Sequence, residues 1–144
     1  MKRLPWLFLA MLVLVGCRDS PREVIERAST AAVGDDIVEM KTLFSVATVQ
    51  RLERAWQLNG TPDAQGWQDL SERLTFDGAP LDVKNEDIVG DFARVDVQAG
   101  AFVRDYYLRQ EDGHWRIELG AGLRYRREKA KATAEAAAEA KEDG

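Results

Sequence analysis

The hydrophobic period of this chain changes at Pro80, and that change limits the folds it can adopt. Before Pro80, apolar residues recur at helical intervals, as Met40 and Phe44 do. After it, apolar and polar residues alternate, as they do around Val95 and Val97. Helical spacing followed by strand spacing predicts an α+β domain, in which N-terminal helices pack on one face of an antiparallel sheet of about four strands.

The first predicted helix carries signals at both of its ends. Ser20 and Glu23 have the spacing of a capping box. Pro21 suits the first helical position, and Gly34 suits the residue that follows the last turn. Further helices are predicted from signals at Asp35-Asp36, Asn59-Gly60 and Thr61-Pro62, with Gly66 as a weak interruption.

The predicted strands are joined by tight turns. Turn signals fall at Gly90-Asp91, Gly100 and Asp112-Gly113, and the Asp-Gly pair is a strong hairpin signature. Alternation then assigns one set of side chains to the face that the helices cover. These inward residues are Ala93, Val95, Val97, Leu108, Trp115, Ile117 and Leu119.

The polar residues offer few groups for catalysis or metal binding. The single histidine, His114, follows the predicted turn and has no histidine or cysteine neighbour with which to bind a metal. Alternation places Asp96 and Asp105 on the solvated face. The acidic pairs Asp35-Asp36, Glu86-Asp87 and Glu111-Asp112 are assigned to caps or turns. We therefore expect no catalytic residue, no metal and no cofactor.

The only cysteine, Cys17, closes an N-terminal segment that is typical of exported proteins. Lys2 and Arg3 precede an apolar run over residues 4–15, which is the arrangement of a secretory signal peptide. The run is shorter than the roughly 20 residues of a membrane-spanning helix. The segment Leu14-Val15-Gly16-Cys17 resembles the bacterial lipoprotein signal.

This resemblance implies cleavage after Gly16 and lipidation of Cys17, with acyl chains such as palmitate on the thiol and on the new amino terminus. Two or more acyl chains hold a protein stably on a membrane. By resemblance to enterobacterial sorting, Arg18 implies an outer-membrane protein that faces the periplasm, while Asp19 one residue later leaves the inner membrane open.

Composition limits the partners of the mature chain. Cleavage would remove Lys2 and Arg3 and change the formal net charge from −5 to −7. Such an acidic chain has no footprint for nucleic acid. No cysteine follows Cys17, so packing rather than an internal disulfide must hold the fold.

A wider pattern covers residues 21–119. Gly34-Asp35 follows the first helix, Gly90-Asp91 opens a strand, and an aromatic hairpin comes last. The other residues of the pattern are Ala93, Val95, Val97, Tyr106, Leu108, Gly113, Trp115 and Ile117. This pattern resembles the nuclear transport factor 2-like (cystatin-like) superfamily, in particular its small bacterial lipoproteins of unknown function. The resemblance implies a cone, formed by a curved sheet around helices, and a sheet face that often mediates dimers.

The implied cone has three candidate pocket residues, Trp56, Tyr106 and Trp115, which would line an apolar ligand site in a hollow cone. A filled core is the alternative interpretation of the same aromatic residues. The favoured function is a non-enzymatic, lipid-anchored protein of the cell envelope that binds an envelope protein or, through its sheet face, a second copy. The first alternative is a binder of a small apolar ligand. The second, least favoured, is an isomerase- or dehydratase-like enzyme.

These interpretations divide the chain into four parts. Residues 1–16 are the signal peptide, and residues 17–20 are the lipidated N-terminus with a short linker. Residues 21–122 form the α+β cone domain. Residues 123–144 are rich in Ala, Glu and Lys, and we expect a frayed helical tail because they contain no apolar stripe.

Overall fold

The computed structural model describes residues 18–142, and it confirms the predicted α+β class. Helices come first, a curved antiparallel sheet of four strands follows, and a long helix ends the chain. The helices are α1 (Pro21–Val33), α2 (Ile37–Thr42), α3 (Val46–Leu58), α4 (Asp63–Arg73) and α5 (Gly122–Glu142). The strands are β1 (Thr75–Phe76), β2 (Ala79–Pro80), β3 (Asp82–Val89), β4 (Phe92–Ala99), β5 (Phe102–Glu111) and β6 (His114–Ile117).

Helix α1 begins at the predicted capping box and ends differently from the prediction. The Glu23 amide donates to the Ser20 hydroxyl at 3.2 Å, and the Ser20 amide donates to the Glu23 carboxylate at 2.6 Å. At the other end Gly34 has a φ of −85°. The left-handed residue is Asp35, with a φ of 53°, because a short polar side chain tolerates this region.

Gly66 lies inside α4 and permits a close approach to α3, so it is not the interruption that the sequence predicted. A Cβ atom at Gly66 would lie 2.2 Å from Cδ2 of Trp56. The Trp56 ring in turn meets the Trp67 ring edge-on, with their centroids 5.3 Å apart. The absent side chain therefore sets the distance between the two helices.

The main sheet has the order β3-β4-β5-β6, and each neighbouring pair is antiparallel. Asp112 and Gly113 both have positive φ angles, of 52° and 76°, as the predicted β5–β6 hairpin requires. Asp77-Gly78 makes the same turn between β1 and β2, a small hairpin that was not predicted. The Asp-Gly signal was present there too.

The inward face of the sheet carries the predicted apolar residues, and α1 packs on its centre. Ile25 and Ala28 of α1 have no exposed surface, and neither do Val95 and Val97 of β4. The Ser29 hydroxyl ties α1 to the chain before β3, since it donates to the Leu74 carbonyl at 2.6 Å and accepts from the Leu81 amide at 2.7 Å. Side chains therefore fill the space between α1 and the sheet.

The outer face of the sheet carries α5. Tyr125 is only 3 % exposed, and its ring centroid lies 5.5 Å from that of Tyr107. The segment is helical, as predicted, but its first turns pack on the sheet, whereas its sequence pattern predicted a tail without a buried face. Glu86 and Asp87 also differ from their predicted place at a turn, because both lie within β3.

Candidate functional site

Within residues 18–142, no strand pairs with one side of half of β5. β5 has 10 residues and β6 has 4, so β6 pairs only with Leu108–Glu111. Beyond this ladder the Glu118 amide still donates to the Tyr107 carbonyl, at 2.9 Å. The stretch from Phe102 to Tyr106 lies past the end of β6, and we call it the open edge of β5.

Contacts with α3 end the pairing at this point. The Leu119 amide donates to the Thr48 hydroxyl at 3.2 Å, and the Leu119 carbonyl accepts from Arg51 at 3.1 Å. Gly120 then turns the chain with a φ of 92°. The chain therefore leaves β5 and crosses to the outer face, where α5 begins.

A groove lies beside the open edge, with a cavity volume of about 600 Å³. Apolar and aromatic residues of the α2–α3 connection, of α4 and the residue that follows it, of β5 and of the segment after β6 line it, together with the charged residues Arg73, Arg104 and Asp105. The apolar and aromatic lining residues are Phe44, Leu70, Leu74, Tyr106 and Leu119. Such a mixture of apolar lining and few charged groups is common in binding sites.

Tyr106 holds the end of α4 against β5. Its hydroxyl donates to the Arg73 carbonyl at 2.8 Å, and Arg104 Nη1 donates to the same oxygen at 3.0 Å. This carbonyl is one of those that a helix C-terminus leaves without an internal partner. Burial raises the pKa of the Tyr106 hydroxyl, against a smaller opposing effect of Arg104. The hydroxyl is therefore a neutral donor with a structural role.

The structure does not bring the three candidate pocket residues together. Tyr106 alone lines the groove. Trp115 is 7 % exposed within the core and lies opposite Gln110, farther along β5. Trp56 is packed against Trp67. The groove is lined instead by Phe44, whose ring meets that of Trp67 with centroids 5.7 Å apart, and by three leucines, of which only Leu119 was among the predicted inward residues.

One end of the sheet exposes apolar side chains. Phe102 and Val103 are 71 % and 62 % exposed. The Phe76 ring lies beside them over Gly100, where a Cβ would come within 2.4 Å of the ring. We call Phe76, Phe102 and Val103, with the β4–β5 turn at Gly100, the distal tip.

The predicted lipid attachment belongs to the opposite end. Cys17 and Gly16 lie outside the described residues, but Arg18 directly follows Cys17 in the sequence. The Arg18 guanidinium is 3.4 Å from a Cβ placed at Gly113, in the β5–β6 turn. Because β4 has 8 residues at about 3.3 Å each, the two ends of the sheet are roughly 26 Å apart.

The outer face, predicted as a dimer surface, is partly occupied by α5. Arg124 lies over the Phe92 ring, at 5.9 Å from its centroid, and Tyr125 covers Tyr107. Asp87 of β3 accepts from the Tyr125 hydroxyl and, at 2.8 Å, from Lys129. These contacts hold α5 across the sheet.

Two carboxyl groups lie side by side on this face. Asp96 of β4 is the register partner of Asp105 of β5. Burial and the neighbouring Asp96 charge raise the pKa of the Asp105 carboxyl, while Arg94 opposes the shift. Arg94 lies 3.0 Å from the Asp96 carboxylate, so the pair is partly neutralised.

We expect the docking of α5 to weaken in acid. The hydrogen bonds from Lys129 and then Tyr125 hold the pKa of the Asp87 carboxyl below its usual value. A group with a lowered pKa stabilises the fold above its unfolded pKa and loses that effect as the pH falls through the folded pKa. Asp87→Asn should therefore lower Tm at about pH 7 and have little effect at about pH 2.5. Thermal unfolding at both pH values checks this, and an equal loss at both would contradict it.

Comparisons with models of protein families, with curated proteins and with solved structures found no match to this chain. Within residues 18–142, no helix is both long and apolar enough to cross a membrane. The same residues contain no cluster of three or more His, Cys, Asp or Glu side chains suited to a metal ion. Among the described residues, the groove, the open edge and the distal tip are therefore the candidate sites.

Proposed function

We propose that this protein is a non-enzymatic, lipid-anchored protein of the bacterial cell envelope, and that it binds another protein through its distal tip. The observation that carries the proposal is the exposure of Phe102 and Val103 on the part of β5 that pairs with β4 on one side and lies past the end of β6 on the other. Exposed apolar side chains beside polar ones are typical of interaction sites. The order of helices and sheet is compatible with membership in the nuclear transport factor 2-like superfamily, which we include in the proposal.

The position of the tip supports this function. A lipid on Cys17 would hold the end of the sheet that carries Gly113 next to the membrane, since Arg18 lies there. The distal tip would then face away from the membrane, toward the periplasm if the anchor is in the outer membrane. A protein partner could reach it without competition from lipid.

The first testable prediction of the proposal concerns the lipid anchor on Cys17. Cys17→Ala should move the protein from the membrane fraction to the soluble fraction, because the acyl chains that hold it are lost. Fractionation of cells that express either form, followed by immunoblotting, measures this. Metabolic labelling with a palmitate analogue should mark the wild type and not the variant. A Cys17→Ala protein that stays on the membrane and still takes up label would contradict the anchor.

Site-specific photo-crosslinking tests the partner. A benzophenone amino acid at Phe102 should yield one crosslinked adduct in native envelopes. The matched control is Ile88, which is also an exposed strand residue, at 48 %, but lies on β3 at the other edge of the sheet. An adduct at Phe102 and none at Ile88 supports binding at the tip. No adduct at Phe102, or equal adducts at both positions, would overturn it.

The groove favours a second candidate function, the binding of a small apolar ligand. Its volume of about 600 Å³ is in the range of small-molecule sites. A hydrocarbon-chain probe should then compete with a fluorescent apolar dye, and Leu70→Trp, which reduces the free space, should abolish dye binding. Unchanged dye binding in Leu70→Trp would remove this candidate.

A further inference from the structure

The open edge of β5 presents backbone groups that can bind another strand. The Tyr107 carbonyl points toward β6, where it accepts from Glu118. In an antiparallel ladder, alternate residues direct both their N–H and C=O groups to the same side. Val103 and Asp105 therefore direct theirs to that side as well. No residue of β6 pairs with them, and among the described residues no other group bonds to their backbone.

The groove provides a place for the side chains of an added strand. A strand paired with β5 would lie about 4.8 Å from it, in line with β6 and between β5 and Leu119. Its alternate side chains would point toward Leu70, Leu74 and Phe44, which are three of the apolar lining residues of the groove. Both the backbone and the space for side chains are thus available on the same side of β5.

The charges at the groove favour an acidic partner. Arg73 and Arg104 both line it, and Arg51 adjoins it at the Leu119 carbonyl. Asp105 is the one acidic lining residue, and its side chain belongs to the outer face, because its register partner is Asp96. An acidic side chain on the inward face of an added strand would therefore meet the arginines.

We infer that the partner binds by strand addition: an extended segment of another protein pairs with Phe102–Tyr106 of β5 and extends the sheet. This segment carries apolar side chains at alternate positions and an acidic residue on the same face. Main-chain hydrogen bonds contribute affinity in such complexes, and the pockets for alternate side chains contribute specificity. The inference rests on the proposed function and specifies the kind of partner and its mode of binding.

A second copy of this chain fits the edge less well. Two copies of β5 can pair antiparallel around a two-fold axis perpendicular to the sheet. Their inward faces lie on the same side only when the axis passes through one residue, which then pairs with its own copy. An axis at Arg104 or at Asp105 places like charges opposite each other, which is destabilising. An axis at Val103 leaves Tyr106 and the groove outside the paired region. An acidic segment of a different protein can pair with the open edge and place its side chains in the groove at the same time.

A proline at position 103 tests the backbone contact. Val103→Pro removes an N–H that faces the open edge and leaves the ladder with β4, which uses the even-numbered residues, intact. Val103→Thr is the matched control because it keeps the N–H and removes part of the apolar surface. The probe is the peptide Thr-Val-Thr-Glu-Thr-Val-Thr, acetylated and amidated, titrated into the lipidated full chain in detergent micelles.

We expect saturable binding of the peptide that shifts the amide NMR signals of Val103 and Asp105. Val103→Pro should raise Kd by about tenfold, since at least one hydrogen bond is lost, and Val103→Thr should change it much less. The peptide N-methylated at alternate amides should lose binding to the unaltered protein. Replacing its glutamate with lysine should weaken it. Absence of saturation, an unchanged Kd in Val103→Pro, or full affinity of the N-methylated peptide would overturn strand addition.

Crosslinking in the Val103→Pro background separates this inference from the proposed function. Loss of the Phe102 adduct in Val103→Pro, with the adduct kept in Val103→Thr, supports strand addition by the native partner. An adduct that persists in both variants overturns strand addition but leaves the partner at the tip. An adduct that is absent even from the unaltered chain overturns both.

Discussion

Replacing Trp67 with alanine should lower the free energy of unfolding by about 3–5 kcal/mol, the cost typical of removing a buried aromatic side chain. Trp67 is 1 % exposed. Its ring meets those of Phe44 and Trp56 edge-on, at centroid distances of 5.7 and 5.3 Å. A domain of this size has a total stability of about 5–15 kcal/mol, so the variant should be close to unfolding at physiological temperature.

The effect combines two losses. The indole Nε1–H donates to the Glu53 carboxylate at 3.0 Å, and alanine leaves that carboxylate with only the Lys41 ammonium, at 2.6 Å. The larger loss is the cavity, because Gly66 and Trp56 cannot close it without moving α3 against α4. Phe44 would lose its aromatic neighbour, and since it also lines the groove, the affinity for the strand-addition peptide should fall as well.

Urea unfolding followed by far-ultraviolet circular dichroism measures this prediction independently of tryptophan fluorescence. Val38→Ala is the control, because Val38 is 78 % exposed and such a change usually alters stability by less than about 0.5 kcal/mol. A loss in Trp67→Ala as small as that of the control would mean that the three rings do not form a core.

The elements that were predicted correctly from the sequence are those that depend on residues close to one another in the chain. The capping box at Ser20 and Glu23 and the turn at Asp112-Gly113 each depend on residues within four positions of one another. The inward face of the sheet followed from alternation alone, since Val95 and Val97 are buried by the period of the strand. Local propensity and period therefore determine the order of the elements and their buried faces.

The groove exists because the two strands of the β5–β6 hairpin differ in length. The hydrophobic period of the sequence does not show this difference. The turn at Asp112-Gly113 fixes the register, and Gly120 ends the second arm while the first continues back to Phe102. The sequence therefore contains a signal for the open edge, in the distances from the turn to Gly120 and to Phe102. It contains no local signal that Leu119 bonds to Thr48, which lies 71 residues earlier.

Two of the predicted pocket residues, Trp56 and Trp115, do not line the groove, and the reason is related. Trp56 and Trp115 have the size and apolar character of pocket residues, but such residues also fill cores. Tyr125 was overlooked because one aromatic residue among Ala, Glu and Lys does not make a stripe. Its burial depends on Asp87, which lies 38 residues away. Packing partners distant in sequence decide which aromatic side chains are buried.

Replacing Glu118 with alanine should have the second-largest effect, a loss of about 2–3 kcal/mol in the free energy of unfolding. Glu118 is 2 % exposed, and its carboxylate lies 2.7 Å from Arg109 and 3.0 Å from Arg124. Removing this charge leaves Arg124 without its carboxylate partner and leaves Arg109 with only Glu111, at 3.3 Å. Breaking a buried pair in this way costs more than the pair contributes. The estimate lies below the usual range for a buried pair because both arginines remain partly exposed.

The loss should be concentrated in α5, since Arg124 belongs to α5 and Arg109 to the sheet. Hydrogen exchange should accelerate in the first turns of α5 in Glu118→Ala, and Glu118→Gln should show a smaller change because the amide oxygen still accepts one hydrogen bond. Glu135→Ala, on the exposed part of α5, is the control and should leave both measurements unchanged. If exchange in Glu118→Ala matched that of the control, Tyr125 and Asp87 alone would hold the helix. In either case, release of α5 would uncover Phe92 and Tyr107 further, so a dimer that buries these two side chains requires that release first.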